Sequence, residues 1–382
     1  MKLLAVNMSL DPVSGGGTVE RTMQLCRHFV LEGINCTILT TDAGLSQDAI
    51  TTMQREHLKI VALPCMNSRF YVPYPHLTAI KRLVADADIV HLMGHWTLIN
   101  MLVYLYARHM SKPYAVCPAG ALPIFGRSKL LKKLYNKIAG RTIIQNASIH
   151  IAIAENEIPQ FAAYGVTAKQ VSLIPNGVNP DDYQFGDTQI FRNYIGLENA
   201  PFILFVGRLN LIKGPDLLLR AFSAICDVLP EMHLVFAGPD GGMLEELKEF
   251  VSASSLESRV HFIGYVEGTN KVAAYKAASL LAVPSRHEAM SIVALEAGIC
   301  GTPVLMTDRC GFANIAIVGG GIIVSPTEEG IRNGLSSMLQ DKDLLHNMGE
   351  RLRSYVIEHY TWETASGKYI KLFKQAIGED CM

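Results

Sequence analysis

Short apolar runs alternate with helix-forming stretches from end to end of this chain, and that rhythm limits the fold more than any other feature. In the first half, runs at 3–8, 36–40, 59–63, 89–92, 114–117, 149–153 and 171–174 read as strands, with helix-like segments between most of them. The second half repeats the pattern through FILFVG, HLVFAG, RVHFIG, SLLAVPS, TPVLM and GIIV, separated by stretches such as PDLLLRAFSAICDVL and GMLEELKEFVSAS. Strands that alternate with helices pair in parallel and carry helices on their faces, so the expected class is α/β. With 382 residues, 49% hydrophobic and 18% charged, the chain can fill two cores. The stretch IPNGVNPDDYQFGDTQ, rich in Pro, Gly, Asn and Asp, reads as a linker. One domain is therefore expected over 1–178, a second over 179–361, and a C-terminal helix at about 362–382 that packs back on the first.

A formal net charge of −1 supplies no global attraction to nucleic acid, so nucleic acid is not an expected partner. The cysteines at 26, 36, 65, 117, 226, 300, 310 and 381 form no C-x-x-C pair, and no His stands at zinc-finger spacing. A reduced, cytoplasmic compartment fits this usage. The opening MKLLAVNMSL has an apolar run too short for a signal peptide, and no segment approaches the roughly 18 uninterrupted apolar residues of a membrane span.

The stretch SRHEAMSIVALEAG sets Glu296 among apolar residues that cover every direction of a 3.6-residue helix. A carboxylate buried there needs hydrogen-bond partners, from the fold or from a ligand. Two strand–loop–helix openings offer places for an anionic ligand. VNMSLDPVSGGGTVERTMQLCRHFV leads through Gly15, Gly16 and Gly17 into an amphipathic helix, which would let backbone N–H groups approach an anion. FILFVGRLNLIKGPDLLLRAF places Arg208 and Lys213 between a strand and a helix that starts at Pro215. Ligands of open α/β sheets bind at the carboxyl ends of strands, where both cations would stand, and two cations suit a diphosphate.

GRLNLIKG followed by EAMSIVALE resembles the retaining glycosyltransferases of family 4, and the resemblance extends to GGGTVER, DIVHLMGHW, IPNGVN and YTWETASGKY. It implies the GT-B fold, two Rossmann-like domains whose parallel sheets face each other across a cleft. It also implies transfer of a glycosyl group from a UDP- or GDP-sugar, as co-substrate, to a glycan or lipid-linked acceptor. Retention of configuration, no essential cofactor and no metal go with it, and so does a place in envelope, capsule or surface polysaccharide synthesis. Carried over to this chain, Arg208 and Lys213 hold the donor diphosphate, Glu288 meets the reacting sugar and Glu296 the ribose hydroxyls. Gly16, Gly17, Met290, Ser291 and Ile292 would complete the donor site. If helical, the eight residues from Glu288 to Glu296 span about 12 Å, so that one helix would read both ends of the donor.

Other readings stand beside this one. A catalytically silent sugar-nucleotide-binding partner is one, because HLMGHW and CPAGAL put Met93 and Ala119 where related chains often carry His and Arg. Another GT-B enzyme, such as an epimerase or phosphorylase, is a further one. With those side chains absent, His91 and His95 become the acceptor-side candidates, and His287 stands beside Glu288. The D-x-D at Asp86–Asp88 precedes a strand and reads as a loop rather than a metal site. Finally, 89–154 contains no Asp or Glu, while basic residues gather in GRSKLLKKLYNKIAGR. As a helix it would set Leu130, Leu131, Leu134, Tyr135 and Ile138 on one side and Lys129, Lys132, Lys133 and Lys137 largely on the other. Such a helix suits an anionic membrane surface, and hence a peripheral position on the inner face of the cytoplasmic membrane.

Overall fold

The computed structural model describes residues 1–46, 50–51, 53, 57–124 and 128–379. The chain divides into two compact units, Met1–Asn176 with Trp362–Met382, and Gly177–Thr361. The first contains β1 (Lys2–Val6), β2 (Asn35–Thr41), β3 (Lys59–Leu63), β4 (Cys65–Asn67), β5 (Val72–Pro73), β6 (Ile89–Met93), β7 (Tyr114–Cys117), β8 (Ile149–Ala152) and β9 (Val171–Leu173). The second contains β10 (Phe202–Val206), β11 (His233–Ala237), β12 (Val260–Gly264), β13 (Leu280–Val283), β14 (Val304–Thr307) and β15 (Gly321–Val324). Each has one wholly parallel sheet, in the order β3-β2-β1-β6-β7-β8-β9 and β12-β11-β10-β13-β14-β15. Every expected strand is present within two residues of its expected bounds. Pro284 and Pro303 set two of the shifted ends, because neither has an N–H to give a ladder.

Central strands such as β1, β7, β10 and β13 are buried along almost their whole length, as parallel strands covered on both faces must be. Each sheet has its own core. One gathers Leu4, Val6, Val90, Val116 and Ile143, the other Ile203, Phe205, Leu218, Phe222 and Phe236. Pattern reading missed the antiparallel β4–β5 pair, whose three- and two-residue strands are too short to show a period.

In the first unit, the Trp362–Ala376 helix lies against the Pro12–Leu31 helix, with Phe29 against Tyr369 and Phe373 at ring separations of 6.0 and 5.8 Å. Arg21, 1% exposed, fastens this junction. It donates to the Ile174 carbonyl at 3.1 Å, to the Tyr369 hydroxyl at 2.6 Å and to Asn176 Oδ1. One guanidinium thus ties the first helix both to the end of the first pass through this unit and to the helix that returns to it.

Candidate active site

In each sheet the connection order reverses beside a central strand, between β1 and β6 and between β10 and β13. A crevice opens at the carboxyl edge at such a point, so the loops after those strands are where ligands reach the sheet. In the second unit these are the loops 207–214 and 284–291.

The two loops are knitted together. Arg286 donates its backbone N–H to the Ile212 carbonyl at 2.7 Å, and its guanidinium reaches the Leu211 carbonyl at 2.8 Å. The same guanidinium forms a two-pronged pair with Asp216 at 2.8 and 2.6 Å, at the start of the Pro215–Ser223 helix. Gly214 has φ +69°, and a Cβ there would collide with the Pro284 carbonyl, so only glycine permits this approach. The result brings Lys213 to Glu288: Nζ donates to Oε1 at 2.7 Å, and Ser285 Oγ donates to Oε2 at 3.1 Å. The side chains are 31% and 14% exposed, so the pair stands at the rim rather than in the core. Arg208 is half-buried in the same loop, its stem against Gly241.

The helix after β13 begins only at Ile292. Glu288 therefore lies in the loop, and the expectation that one helix carries both glutamates is corrected: the glycine-free turn 284–291 intervenes. At the N-terminus of the Ile292–Ile299 helix, Ser291 makes no side-chain cap. Its hydroxyl is buried without a hydrogen-bond partner in this structure. The hydroxyl stands beside the N-terminal N–H groups of this helix, where an anion could be met. Met290 is buried and Ile292 is the first helical residue.

Glu296 is 2% exposed on that helix. Lys271 Nζ donates to Oε1 at 2.7 Å and Tyr275 Oη to Oε2 at 2.6 Å, both from the Gly268–Ala277 helix. The idea that this carboxylate needs a ligand to be satisfied is thereby corrected, since the fold itself supplies partners. Burial, and then the Glu296 charge, hold the Tyr275 phenol well above its usual pKa, so it stays a hydrogen donor. Lys271, Tyr275 and Ser285 escaped sequence reading. The i, i+4 spacing of Lys271 and Tyr275 was the available signal, but nothing local tied it to a residue 21 positions beyond Tyr275. His287 is half-buried, and burial lowers its pKa below the usual histidine value.

A sequence profile described as "Glycosyltransferase Family 4" matches residues 15–182, and one described as "Glycosyl transferases group 1" matches 187–355. The chain belongs to glycosyltransferase family 4. Among its relatives is the D-inositol 3-phosphate glycosyltransferase of Corynebacterium jeikeium, 30% identical over 253 residues, which are 63% of this chain and 60% of that protein. The match thus spans about three fifths of the relative's length. Anabaena HepE, solved with UDP and glucose, superposes with a TM-score of 0.81 at 17% identity, over 98% of this chain and all of that one. Sucrose-phosphate synthase from Thermosynechococcus elongatus gives 0.81 at 20% identity over the whole of both chains. These neighbours share the GT-B fold.

Against that family pattern, the first unit departs from expectation. His91 is fully buried on β6, its ring 5.1 Å from Tyr369 and 5.7 Å from Phe373, and neither ring nitrogen has a partner. Burial first, and the nearby Arg21 charge second, lower its pKa to about 3. His95 is 2% exposed among Trp96, Tyr135 and Tyr164, with Nε2 3.1 Å from Asn136 Oδ1 and a pKa lowered by burial to about 4. Both are neutral packing residues, which corrects their assignment to the acceptor. Met93 is buried and accepts from Thr22 Oγ1 at 2.8 Å. Ala119 and Gly120 form a left-handed turn (φ 48° and 83°) closed by the buried Glu157, which accepts from Gly120 N–H and, at 2.6 Å, from Ile153 N–H.

The glycine triplet lies inside the Pro12–Leu31 helical segment, not in a loop before it. The segment breaks at Gly16 (φ 53°, ψ −142°), and Gly16 and Gly17 are exposed there. Asp86 and Asp88 stand at the amino ends of strands, opposite the crevice. Lys2 binds both, by Nζ to Asp86 at 2.7 Å and by its backbone N–H to Asp88 at 2.6 Å.

Proposed function

We propose that this chain is a retaining, metal-independent glycosyltransferase that moves a sugar from a UDP- or GDP-sugar to a glycan or lipid-linked acceptor in surface polysaccharide or glycolipid synthesis. The observation that carries the reading is the group at the β10–β13 crevice: Arg208, the Lys213–Glu288 pair and the unmatched Ser291 hydroxyl at a helix N-terminus. As the bond from sugar C1 to the phosphate oxygen breaks, negative charge grows on the departing nucleotide diphosphate. Arg208, Lys213 and the N–H groups at 291–293 are preorganised to receive it, which is the contribution a divalent ion makes in other transferases. Drawn to phosphate, Lys213 leaves Glu288 to orient the hydroxyls of the sugar, whose acceptor attacks from the face the phosphate vacates. Glu296 takes the ribose hydroxyls. UDP in the HepE crystals supports a nucleotide donor.

A membrane-apposed acceptor is supported by the Lys129–Tyr135 helix and the π-helical turn Asn136–Gly140 that continues it. Leu130, Leu131, Leu134 and Ile138 are 80%, 54%, 52% and 65% exposed beside Lys129, Lys133 and Lys137. Tyr135 turns inward instead, its hydroxyl donating to the Thr97 carbonyl at 3.1 Å, and Lys132 lies over the Trp96 ring. An apolar strip that the fold leaves uncovered, edged by cations, matches an anionic lipid surface. No helix among the described residues is long and apolar enough to cross a membrane.

Thermal shifts with UDP, GDP, ADP and their sugars test the donor reading, since a ligand of the native state raises the melting temperature. A shift with one nucleotide and its sugars, together with turnover on a lipid-linked acceptor and none lost to EDTA, is the expected result. No shift with any of them would remove the reading.

A further inference from the structure

The arrangement around Glu296 assigns a role to a residue outside the family motifs. Its carboxylate is almost wholly buried, and Lys271 is the one cation paired with it among the described residues. Each oxygen already accepts one bond, Oε1 from Lys271 and Oε2 from Tyr275. A carboxylate has about four acceptor positions, so one remains on each oxygen, and two adjacent acceptors match the two adjacent hydroxyls of a ribose. A carboxylate this buried is costly to keep ionised without a cation, and a carboxylate free to rotate would meet the diol poorly. Lys271 reaches it from the more open side, its own side chain 27% exposed, while Tyr275 is fully buried behind.

We propose that Lys271 is a positioning residue for the donor nucleotide: it fixes the orientation of the Glu296 carboxylate so that both ribose hydroxyls can donate to it. The assignment rests on the reading of Glu296 as the ribose ligand. It differs from a simple clamp between two helices because it makes the effect of Lys271 depend on hydroxyls of the ligand.

The test is a cycle between protein and ligand, read as dissociation constants of UDP and GDP and of their 2′,3′-dideoxy counterparts in the full-length chain. The wild type should bind the dideoxy form about tenfold or more weakly, as expected for the loss of hydrogen bonds to a charged group. Lys271→Met should bind the natural nucleotide about tenfold more weakly and no longer tell the two forms apart, while Lys271→Arg should stay within about threefold of wild type. In turnover, Lys271→Met should raise donor KM and leave kcat nearly unchanged. Should the methionine variant fold poorly by its melting temperature, Lys271→Gln and Tyr275→Phe make the same measurement, each expected to narrow the discrimination.

A Lys271→Met protein that keeps full discrimination, or binds natural nucleotide more tightly than wild type, would overturn the proposal while leaving Glu296 as ribose ligand. If Glu296→Gln and the wild type both fail to discriminate between the two forms, the ribose reading itself falls, and the role of Lys271 with it.

Discussion

In the first sheet, His91 within β6 and His95 just after it are sealed among aromatic rings, with both ring nitrogens of His91 and Nδ1 of His95 unmatched, and both stay neutral. At the carboxyl edge of the second sheet, Lys213 and Glu288 are paired at 2.7 Å and partly exposed, in loops braced by Arg286 and Asp216. The two sheets share strand order about their central strands, yet one edge has spent its polar residues on packing and the other holds them at a surface. Equal topology therefore does not mean equal chemistry. The second edge keeps a charged pair within reach of solvent, whereas the first buries its histidines under aromatic rings.

The comparison breaks most easily at the second edge. Replacing Lys213 or Arg208 by Ala should lower kcat/KM about 10²–10³-fold, roughly 3–4 kcal/mol of transition-state stabilisation, with the melting temperature little changed. Near-normal turnover in both variants would erase the distinction.

The first edge should respond to acid instead. A histidine whose folded pKa is depressed below its unfolded value near 6.5 leaves the unfolded state binding more protons, so stability is intact above about pH 6.5 and falls as pH drops toward the folded pKa values of about 3 and 4. At pH 5 the loss should be about 2 kcal/mol for each histidine. His91→Phe should flatten that part of the stability profile, measured by urea unfolding between pH 7 and 4.5; an unchanged profile would mean that His91 titrates normally.

A smaller effect belongs to the exposed strip on the first unit. Reversing the charges of Lys129, Lys133 and Lys137 should remove about 1 kcal/mol of vesicle binding per residue on anionic liposomes, and high salt should imitate the change. Donor binding should be unaffected. Sedimentation insensitive to both treatments would separate this helix from any membrane. The smallest effect expected is that of His91→Phe on turnover, within about twofold of wild type, because a residue sealed under Tyr369 and Phe373 meets no substrate.

The sheets were legible in the sequence because a strand buried on both faces is a continuous apolar run, and no charged residue interrupts β10, β13 or β14. The loops were legible less evenly. Glycines and cations in GRLNLIKG sit close together in sequence, so their meeting in one loop is a local matter. Lys271 and Glu296 are separated by 25 residues and meet only because two helices pack, which no window of sequence expresses. The histidines were misread for the same reason. His91 is covered by Tyr369 and Phe373 on a helix far along the chain and His95 by Trp96, Tyr135 and Tyr164, and a histidine on or just after a strand looks alike in sequence whether or not something covers it. The basic helix was misread in two residues: Tyr135 joins the His95 and Trp96 rings and Lys132 lies over Trp96, leaving the leucines uncovered.

The central claim is that Glu288 and Glu296 address the two ends of one sugar nucleotide, and the steady-state kinetics of the two Gln variants test it most directly. On that claim Glu288→Gln should lower kcat with little change in donor KM, whereas Glu296→Gln should raise donor KM with kcat nearly kept. The reverse division, or equal loss of both parameters in both variants, would contradict the account.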